Sequence, residues 1–181
     1  MLAAVVTFSA DHSASLGLLT FGLFAAASGA VITVFALRTQ AGTARIVQLA
    51  QGIVTVVAGV VGLTMINGGL PFMLFLVSAW AAITGFLELY LGIRSRGRDR
   101  SARDWTFVGG LTAVLAVAVV LVPPDFVQPW AGQNGVKGEL TASIIVVGAL
   151  GAYWAIIAVY LVIAGLSLKW ATEPQAVGTD A

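Results

Sequence analysis

Long apolar runs separated by short polar breaks dominate the pattern of this chain of 181 residues. A helix needs about 20 apolar residues to cross the hydrocarbon core of a bilayer. Five runs reach or approach that length, and they are continuous rather than alternating, which favours spanning helices over the strands of a barrel. The predicted spans are residues 16–37, 46–66, 71–93, 105–122 and 142–168.

The breaks between the runs contain the residues that turns and helix ends require. Residues 67–69 (Asn-Gly-Gly) come shortly before Pro71, an order that is typical of a tight turn opening the next helix. Pro123 ends the fourth run, because proline cannot continue the helical hydrogen-bond ladder. The stretch from there to Gly138 is predicted to be the longest loop of the chain.

Composition excludes an ordinary soluble domain. Hydrophobic residues make up 59% of the chain and charged residues 9%, with a mean hydropathy of +0.99, whereas soluble domains carry about 25% charged residues. The sequence therefore predicts an all-α polytopic transmembrane bundle of five spans built from helical-hairpin repeats, with the lipid bilayer as its partner. The net charge of +1 does not favour nucleic acid as a partner.

Basic residues predict the orientation, because positively charged loops stay on the cytoplasmic side. If the helices alternate in direction, eight basic residues fall on one side and Lys137 alone on the other. This bias predicts an extracytoplasmic segment 1–15 and a cytoplasmic tail 169–181. The preference for Arg over Lys and the abundance of Ala, Val and Gly suit a bacterial source, so we expect the inner (plasma) membrane of a bacterium. The arginine-rich loop from Arg94 to Asp104 is interpreted as a topology signal, with binding of anionic lipid headgroups as the alternative. The eight residues are Arg38, Arg45, Arg94, Arg96, Arg98, Arg100, Arg103 and Lys169.

The first, third and fifth spans share a pattern that indicates an internal repeat. In each, an aromatic residue precedes a small residue by five positions, and a basic residue follows nine to eleven positions later. We interpret the repeat as a hairpin in which the second span opens and the third closes, and likewise the fourth and fifth. The first span then lacks an opening helix, of which residues 1–10 resemble the outer end. The three sets are Phe24, Gly29 and Arg38; Trp80, Gly85 and Arg94; Tyr153, Ala158 and Lys169.

Small residues also recur four positions apart in these spans. Such stripes allow helix backbones to approach closely. We interpret them as packing positions within one chain, with a face for a homo-oligomer or another membrane protein as the alternative. The stripes are Gly22, Ala26 and Ala30; Ala81 and Gly85; Gly148 and Ala152.

Residues 79–94 (AWAAITGFLELYLGIR), the basic loop after them and the Gly109-Gly110 helix that ends at Pro123 resemble the HdeD-like membrane proteins. Residues 151–158 (GAYWAIIA) are similar to the closing helix of that family. The resemblance implies a bundle of hairpin repeats, usually six spans, with no established biochemical activity. It also implies a non-enzymatic role, and acid or other stress response is the role that the founding members suggest. This chain departs from the family in its five full spans and its long fourth loop.

Glu88 is the only ionisable side chain well inside a predicted span. Charged groups within a membrane are costly and often functional. Gln48 and Gln51 lie at similar depth in the second span, and we interpret the three residues as a polar clasp between helices. One alternative is a proton or ion relay in a small oligomeric transporter or channel. The other is a carboxylate that snorkels towards the interface or pairs with an arginine such as Arg94.

The remaining polar features predict no chemistry. The chain has no cysteine, which excludes disulfides and thiolate metal sites. Asp11 and His12 are adjacent but lack further ligands, so we interpret them as a surface pair. The Gly-rich residues 132–135 (GQNG) are interpreted as a turn rather than a phosphate cradle. Because no group of catalytic side chains converges at one depth, we expect no enzyme, no cofactor and no metal.

Overall fold

A computed structural model describes residues 13–99, 101–131 and 137–172. Its five helices are long and apolar enough to cross a membrane, so the fold is the all-α bundle that the apolar runs predict. The turns after the first and third helices, together with the C-terminal end of the fifth, define what we call the basic end of the bundle. The helices are α1 (Ala14–Thr39), α2 (Gly42–Thr64), α3 (Gly69–Arg94), α4 (Ala102–Val120) and α5 (Ala142–Thr172).

Local chemistry explains where the helices begin and end. The side chain of Ser13 accepts a hydrogen bond from the backbone N–H of Leu16 at 3.3 Å, which caps the start of α1. Gly69 has a φ of +74° at the start of α3, in the left-handed region that glycine enters without steric cost. Gly97 has a φ of +78° in the turn that joins α3 to α4. These turns reverse the chain within a few residues and make neighbouring helices antiparallel.

The closest helix packing joins α1 to α2 and α3 to α4. A Cβ atom added to Gly29 of α1 would lie 2.7 Å from the backbone nitrogen of Val56 in α2. A Cβ atom added to Gly109 of α4 would lie 2.6 Å from the backbone nitrogen of Leu89 in α3. At both contacts the two backbones touch only because glycine has no side chain, which is how helices associate in an apolar solvent.

This pairing corrects the interpretation that α2–α3 and α4–α5 are the hairpin units, since α1 packs most closely on α2 and α3 on α4. Short turns and facing small residues bring α1 onto α2, whereas α5 follows a long connection and makes few close contacts. The expected pairs are joined instead by side chains. Thr55 of α2 accepts from Trp80 of α3 at 3.2 Å, and Thr112 of α4 bonds Tyr153 of α5 at 2.9 Å. Residues 1–10, interpreted as a helix remnant, lie outside the described residues.

The predicted stripes of small residues divide between two environments. Gly22 packs inside the chain, because a Cβ atom there would lie 2.7 Å from Cγ of Leu63. Gly85 faces α4 in the same way, with Ala113 opposite it. Gly148 of α5 has no neighbour within 4 Å of such an atom among the described residues. Gly22 and Gly85 therefore serve packing within the chain, whereas Ala30 at the end of the α1 stripe is exposed, and an oligomer face stays a prediction.

The apolar core fills the half of the bundle away from the basic end. All five helices contribute side chains to it, α2 mainly through Ala58, and many of the core side chains are fully buried. Large apolar side chains also cover the outside, which suits a surface that lipid tails contact. Fully buried members of the core include Leu18, Phe21, Met73, Val77, Val146 and Val147.

A short β-hairpin occupies part of the predicted long loop between α4 and α5. Strands β1 (Val127–Ala131) and β2 (Lys137–Thr141) pair antiparallel, with Trp130 opposite Gly138. The indole of Trp130 lies against Gly138, because a Cβ atom there would be 2.8 Å from the ring. The predicted loop, which ends at Gly138, therefore contains all of β1 and the first two residues of β2. The turn predicted at residues 132–135 lies outside the described residues.

Candidate functional site

A cavity of about 690 Å³ opens in the half of the bundle nearest the basic end, and all five helices contribute to its wall. Its inner part is polar, and its outer wall is apolar. Val31 and Phe35 of α1 and Leu161 of α5 line it while remaining 68%, 51% and 58% exposed. The cavity therefore opens on the flank between α1 and α5, where lipid tails would contact a membrane protein. Its polar lining includes Gln48, Gln51, Thr55, Thr84, Glu88, Thr112 and Tyr153.

Glu88 and Gln51 are in direct contact at the inner part of this cavity. The Nε2 amide of Gln51 donates to Oε1 of Glu88 at 2.5 Å, which links α2 to α3. Gln51 is only 6% exposed. The bond holds one oxygen of the carboxylate and leaves the other turned towards α4.

Thr112 of α4 lies beside that second oxygen, at 3.5 Å from Oε2 of Glu88. Its hydroxyl also lies 2.8 Å from the carbonyl of Val108 and 2.9 Å from the hydroxyl of Tyr153. A hydroxyl has one hydrogen to donate. The 2.8 Å bond to the Val108 carbonyl is the best placed to take it, so Tyr153 donates to Thr112. Oε2 of Glu88 is then left without a good donor.

Gln48 is the third predicted residue, and it lies on the same cavity wall without a direct bond to the other two. Its side chain is 7% exposed, and its Oε1 atom is fully buried with no hydrogen-bond partner among the described residues. A buried acceptor without a donor costs about 1–3 kcal/mol. Gln48 therefore adds a second acceptor atom that nothing in the described chain satisfies.

Aromatic side chains close the cavity towards the apolar core. Trp80 packs edge-on against Phe21, with ring centroids 5.2 Å apart, and against Tyr153 at 6.2 Å. The indole N–H of Trp80 donates to Thr55 at 3.2 Å, which fixes the ring across the bundle. Beyond this layer the bundle is filled by apolar side chains. The cavity is therefore a blind pocket rather than a passage.

The mouth of the cavity carries a second carboxylate that sequence reasoning missed. The Tyr160 hydroxyl of α5 donates to Oδ1 of Asp104 in α4 at 2.5 Å. The Tyr160 ring stacks on Phe107 with centroids 4.4 Å apart. Asp104 was assigned to the basic loop because of its polar neighbours, but α4 begins at Ala102 and includes it. The repeat of aromatic positions was the sequence pattern that indicated a tyrosine of α5, and it pointed to Tyr153. It therefore did not indicate the contact of Tyr160 with Asp104.

The predicted alternatives for Glu88 can be compared with this geometry. Its side chain lines the interior cavity and bonds Gln51, so it does not snorkel along the lipid face. Arg94 instead contacts Tyr90, at 3.2 Å from its hydroxyl and 5.8 Å from its ring centroid. A clasp between α2 and α3 is present at Gln51, while Gln48 takes no part in it.

Metal binding has no support in the described part of the chain. No group of three or more His, Cys, Asp or Glu residues comes together in residues 13–99, 101–131 and 137–172. Asp11 and His12, interpreted as a surface pair, lie outside those ranges. The site is thus a mixed pocket with a polar inner end of carboxylate, amide and hydroxyl groups and an apolar outer wall.

Fold and site together define a multi-pass helical membrane protein with an internal pocket. A family model described as "short repeat of unknown function (DUF308)" matches residues 50–122, from within α2 to just beyond α4. That family includes the HdeD-like membrane proteins, so the match agrees with the resemblance at this coarser level. No match was found among the curated proteins or the solved structures.

Proposed function

We propose that this chain is a non-enzymatic protein of a bacterial inner membrane that holds an amphiphilic small molecule in its cavity. The observation that carries the proposal is a pocket of about 690 Å³ with one polar end and one apolar wall that opens towards lipid. Binding pockets for small molecules typically measure about 300–1,000 Å³ and combine apolar walls with a few polar groups. An amphiphile satisfies both parts of this pocket at once.

The choice of binding over catalysis rests on the kinds of side chain at the polar end. Glu88 is the one acidic group there, and its neighbours Gln48, Gln51 and Thr112 are amides and a hydroxyl. A general acid–base reaction needs paired titratable groups, or a nucleophile held beside a base. Asp104 lies at the mouth and is engaged by Tyr160. The arrangement suits recognition better than chemistry.

Transport is the second candidate, and the position of Glu88 inside the bundle favours it. A path for ions would have to continue past Trp80 into the half of the bundle that apolar side chains fill. Transport therefore needs a rearrangement of the helices, whereas binding does not. Flux of protons or ions into liposomes that Glu88→Gln abolishes would favour the transporter.

An acid or stress role rests on the resemblance to the HdeD-like proteins alone. Survival of a deletion strain in acid, compared with the complemented strain, measures this role. Equal survival of the two strains would contradict the acid role and leave the binding proposal unaffected.

Binding can be measured with ω-bromo amphiphiles, because bromine quenches nearby indole rings and Trp80 and Trp105 both line the cavity. We expect 11-bromoundecanol to quench the protein saturably in a neutral maltoside detergent. Ala27→Phe should weaken this binding at least about tenfold, because Ala27 lies on the cavity wall and a phenyl ring there takes up ligand space.

Ala30→Phe is the matched control for that measurement. Ala30 lies on the same helix and is exposed, but it is not part of the cavity wall. We expect its affinity to equal that of the wild type. Equal weakening by both variants, or no saturable quenching of the wild type, would contradict the proposed function.

A further inference from the structure

Two acceptor atoms at the polar end of the cavity have no good hydrogen-bond donor among the described residues. Oε1 of Gln48 has no partner among the described residues and is fully buried. Oε2 of Glu88 has only Thr112 at 3.5 Å, whose single hydrogen is better placed on the carbonyl of Val108. Both oxygens belong to side chains that line the same cavity. A ligand that completes the bonding of these two oxygens brings N–H or O–H donors.

Charge narrows the choice of donor. Glu88 pairs with no arginine among those whose side chains the structure describes, and its contacts are the amide of Gln51 and the hydroxyl of Thr112. The nearest arginine along its own helix, Arg94, turns to Tyr90 instead. A carboxylate in an apolar setting is stable only when it is neutralised or paired. A cationic head would supply both the missing charge and the missing donors.

The walls of the cavity favour an organic cation over a metal ion. Hard cations such as Mg²⁺ and Ca²⁺ need about six or more oxygen ligands, whereas the unsatisfied oxygens here are those of Glu88 and Gln48. The indole of Trp80 and the phenol of Tyr153 lie at the same end, and aromatic faces attract ammonium groups within about 6 Å. The remaining wall is apolar.

We propose that the ligand carries an ammonium group with N–H donors on an apolar body, and that this head lies between Glu88 and Gln48. The inference rests on the proposed function and specifies its ligand class. The apolar body follows the wall formed by Phe24, Phe35 and Leu161 towards the opening between α1 and α5. Such a head can come from a free lipophilic amine or from a phospholipid with an ethanolamine headgroup.

The mouth of the cavity is compatible with a cation. Asp104 places a carboxylate there, with one oxygen bonded to Tyr160. Arg103 precedes it in the chain and is exposed, so its charge opposes this attraction from the solvent side. Screening weakens interactions between exposed charges, and the inner carboxylate of Glu88 therefore decides the preference.

The test compares four probes that share one apolar body and differ in the head. They are 11-bromoundecylammonium, its N-trimethyl form, 11-bromoundecanol and 11-bromoundecanoate, measured by indole quenching in neutral maltoside. We expect the ammonium to bind most tightly, because it alone combines charge with N–H donors. The trimethyl form has the charge without donors, the alcohol has a donor without charge, and the carboxylate should bind weakest.

Three variants assign the preference to particular atoms. Glu88→Gln keeps an acceptor for Gln51 and should weaken ammonium binding by about ten- to a hundredfold, the usual effect of a bond to a charged group. It should change alcohol binding by less than about threefold. Gln48→Met removes the orphan oxygen at similar volume and should weaken ammonium binding by about two- to tenfold. Glu139→Gln removes the same charge from the β-hairpin and should change nothing.

The outcomes separate this inference from the proposed function. If alcohol and ammonium bind equally, or if Glu88→Gln leaves ammonium binding unchanged, the ammonium head is wrong while the amphiphile pocket stands. If none of the four probes binds saturably, both proposals fall. Should Glu88→Gln not fold, as judged by gel filtration, the Gln48→Met result and the ranking of the four heads still decide the question.

The source of the ammonium is tested in nanodiscs. In discs of phosphatidylglycerol alone, 11-bromoundecylammonium should bind, and we then replace part of the lipid with phosphatidylethanolamine. Competition by phosphatidylethanolamine supports a lipid headgroup as the source, and undiminished binding supports a free amine. Failure of the ammonium to exceed the alcohol in discs of neutral lipid would overturn the proposal, since anionic lipid by itself concentrates cations.

Discussion

Thr112 shows how much of the site depends on single side chains. Its hydroxyl lies 2.9 Å from that of Tyr153. Among the described residues, this contact is the side-chain hydrogen bond that joins α4 to α5 near the inner end of the cavity. Tyr153 is 8% exposed, so its hydroxyl has little access to another partner. A buried hydroxyl that loses its partner keeps the full cost of desolvation. The pair therefore stabilises the attachment of α5.

We expect Thr112→Val to lower the free energy of unfolding by about 1–2 kcal/mol, because Val keeps the shape and leaves Tyr153 unpaired. Thr112→Ser keeps the hydroxyl and should cost less. Combining Thr112→Val with Tyr153→Phe should recover part of the loss, since both polar groups are then gone. Unfolding in a detergent titration measures these variants beside the wild type, and equal stability of the Val and Ser variants would contradict the assignment.

At the same scale, the sequence indicated Glu88, Gln48 and Gln51 because polar residues are rare in apolar runs. The structure joins Glu88 to Gln51 and leaves Gln48 unbonded on the same wall. Threonine, tyrosine and tryptophan are common in spans for packing reasons, so their presence carries no comparable signal. Thr112 was therefore unpredictable as a member of the site.

At the scale of elements, glycine contacts determine which helices form pairs. Gly109 faces the backbone of α3, whereas a Cβ atom added to its neighbour Gly110 would have no atom within 4 Å among the described residues. Two adjacent glycines in one helix thus have opposite environments. Replacement by alanine separates the contribution of packing from that of helix propensity.

Gly109→Ala should destabilise the protein by about 1–3 kcal/mol, because its Cβ atom would lie 2.6 Å from the backbone nitrogen of Leu89 and force the helices apart. Gly110→Ala should be neutral or stabilise by up to about 1 kcal/mol, since alanine favours the helix. Thermal unfolding in detergent compares the two. A loss of stability at Gly110 as large as that at Gly109 would contradict the close contact of α3 with α4.

Elements differ in how well their sequences predict them. Each apolar run corresponds to one helix, because a spanning segment must satisfy its backbone internally whatever its neighbours are. The β-hairpin was missed because Pro129 lies within β1, and proline argues against a strand except at an edge. A two-stranded sheet consists only of edges, so the objection does not apply to it.

At the scale of the whole molecule, the basic residues predict the orientation. Arg38, Arg94 and Arg98 lie at the end of the bundle where α1 and α3 terminate. The cavity opens in that half, so the predicted orientation places it in the cytoplasmic leaflet. The orientation remains a prediction, because the arrangement of helices alone has no preferred side.

A reporter fused after Lys169 should report a cytoplasmic location, because positively charged loops are retained inside. A reporter inserted near Gly135 should report the exterior. Alkaline phosphatase and a fluorescent protein measure the two sides. The opposite pattern would reverse the predicted orientation and move the cavity to the outer leaflet.

The sequence by itself determined that this is a multi-pass helical membrane protein with five helices. It also indicated Gln48, Gln51 and Glu88 as the polar residues of interest within them. Length and hydropathy belong to each segment separately, so they can be calculated without knowing its neighbours. Only the tertiary structure decided the pairing of α1 with α2 and of α3 with α4, and the cavity that results. Helices that are apolar on almost every side have no contrast between a polar and an apolar face that marks the inward side, and stripes of small residues do not say which helix they meet. In lipid, the close fit of small residues and a few hydrogen bonds decides which faces meet, and both depend on the partner helix.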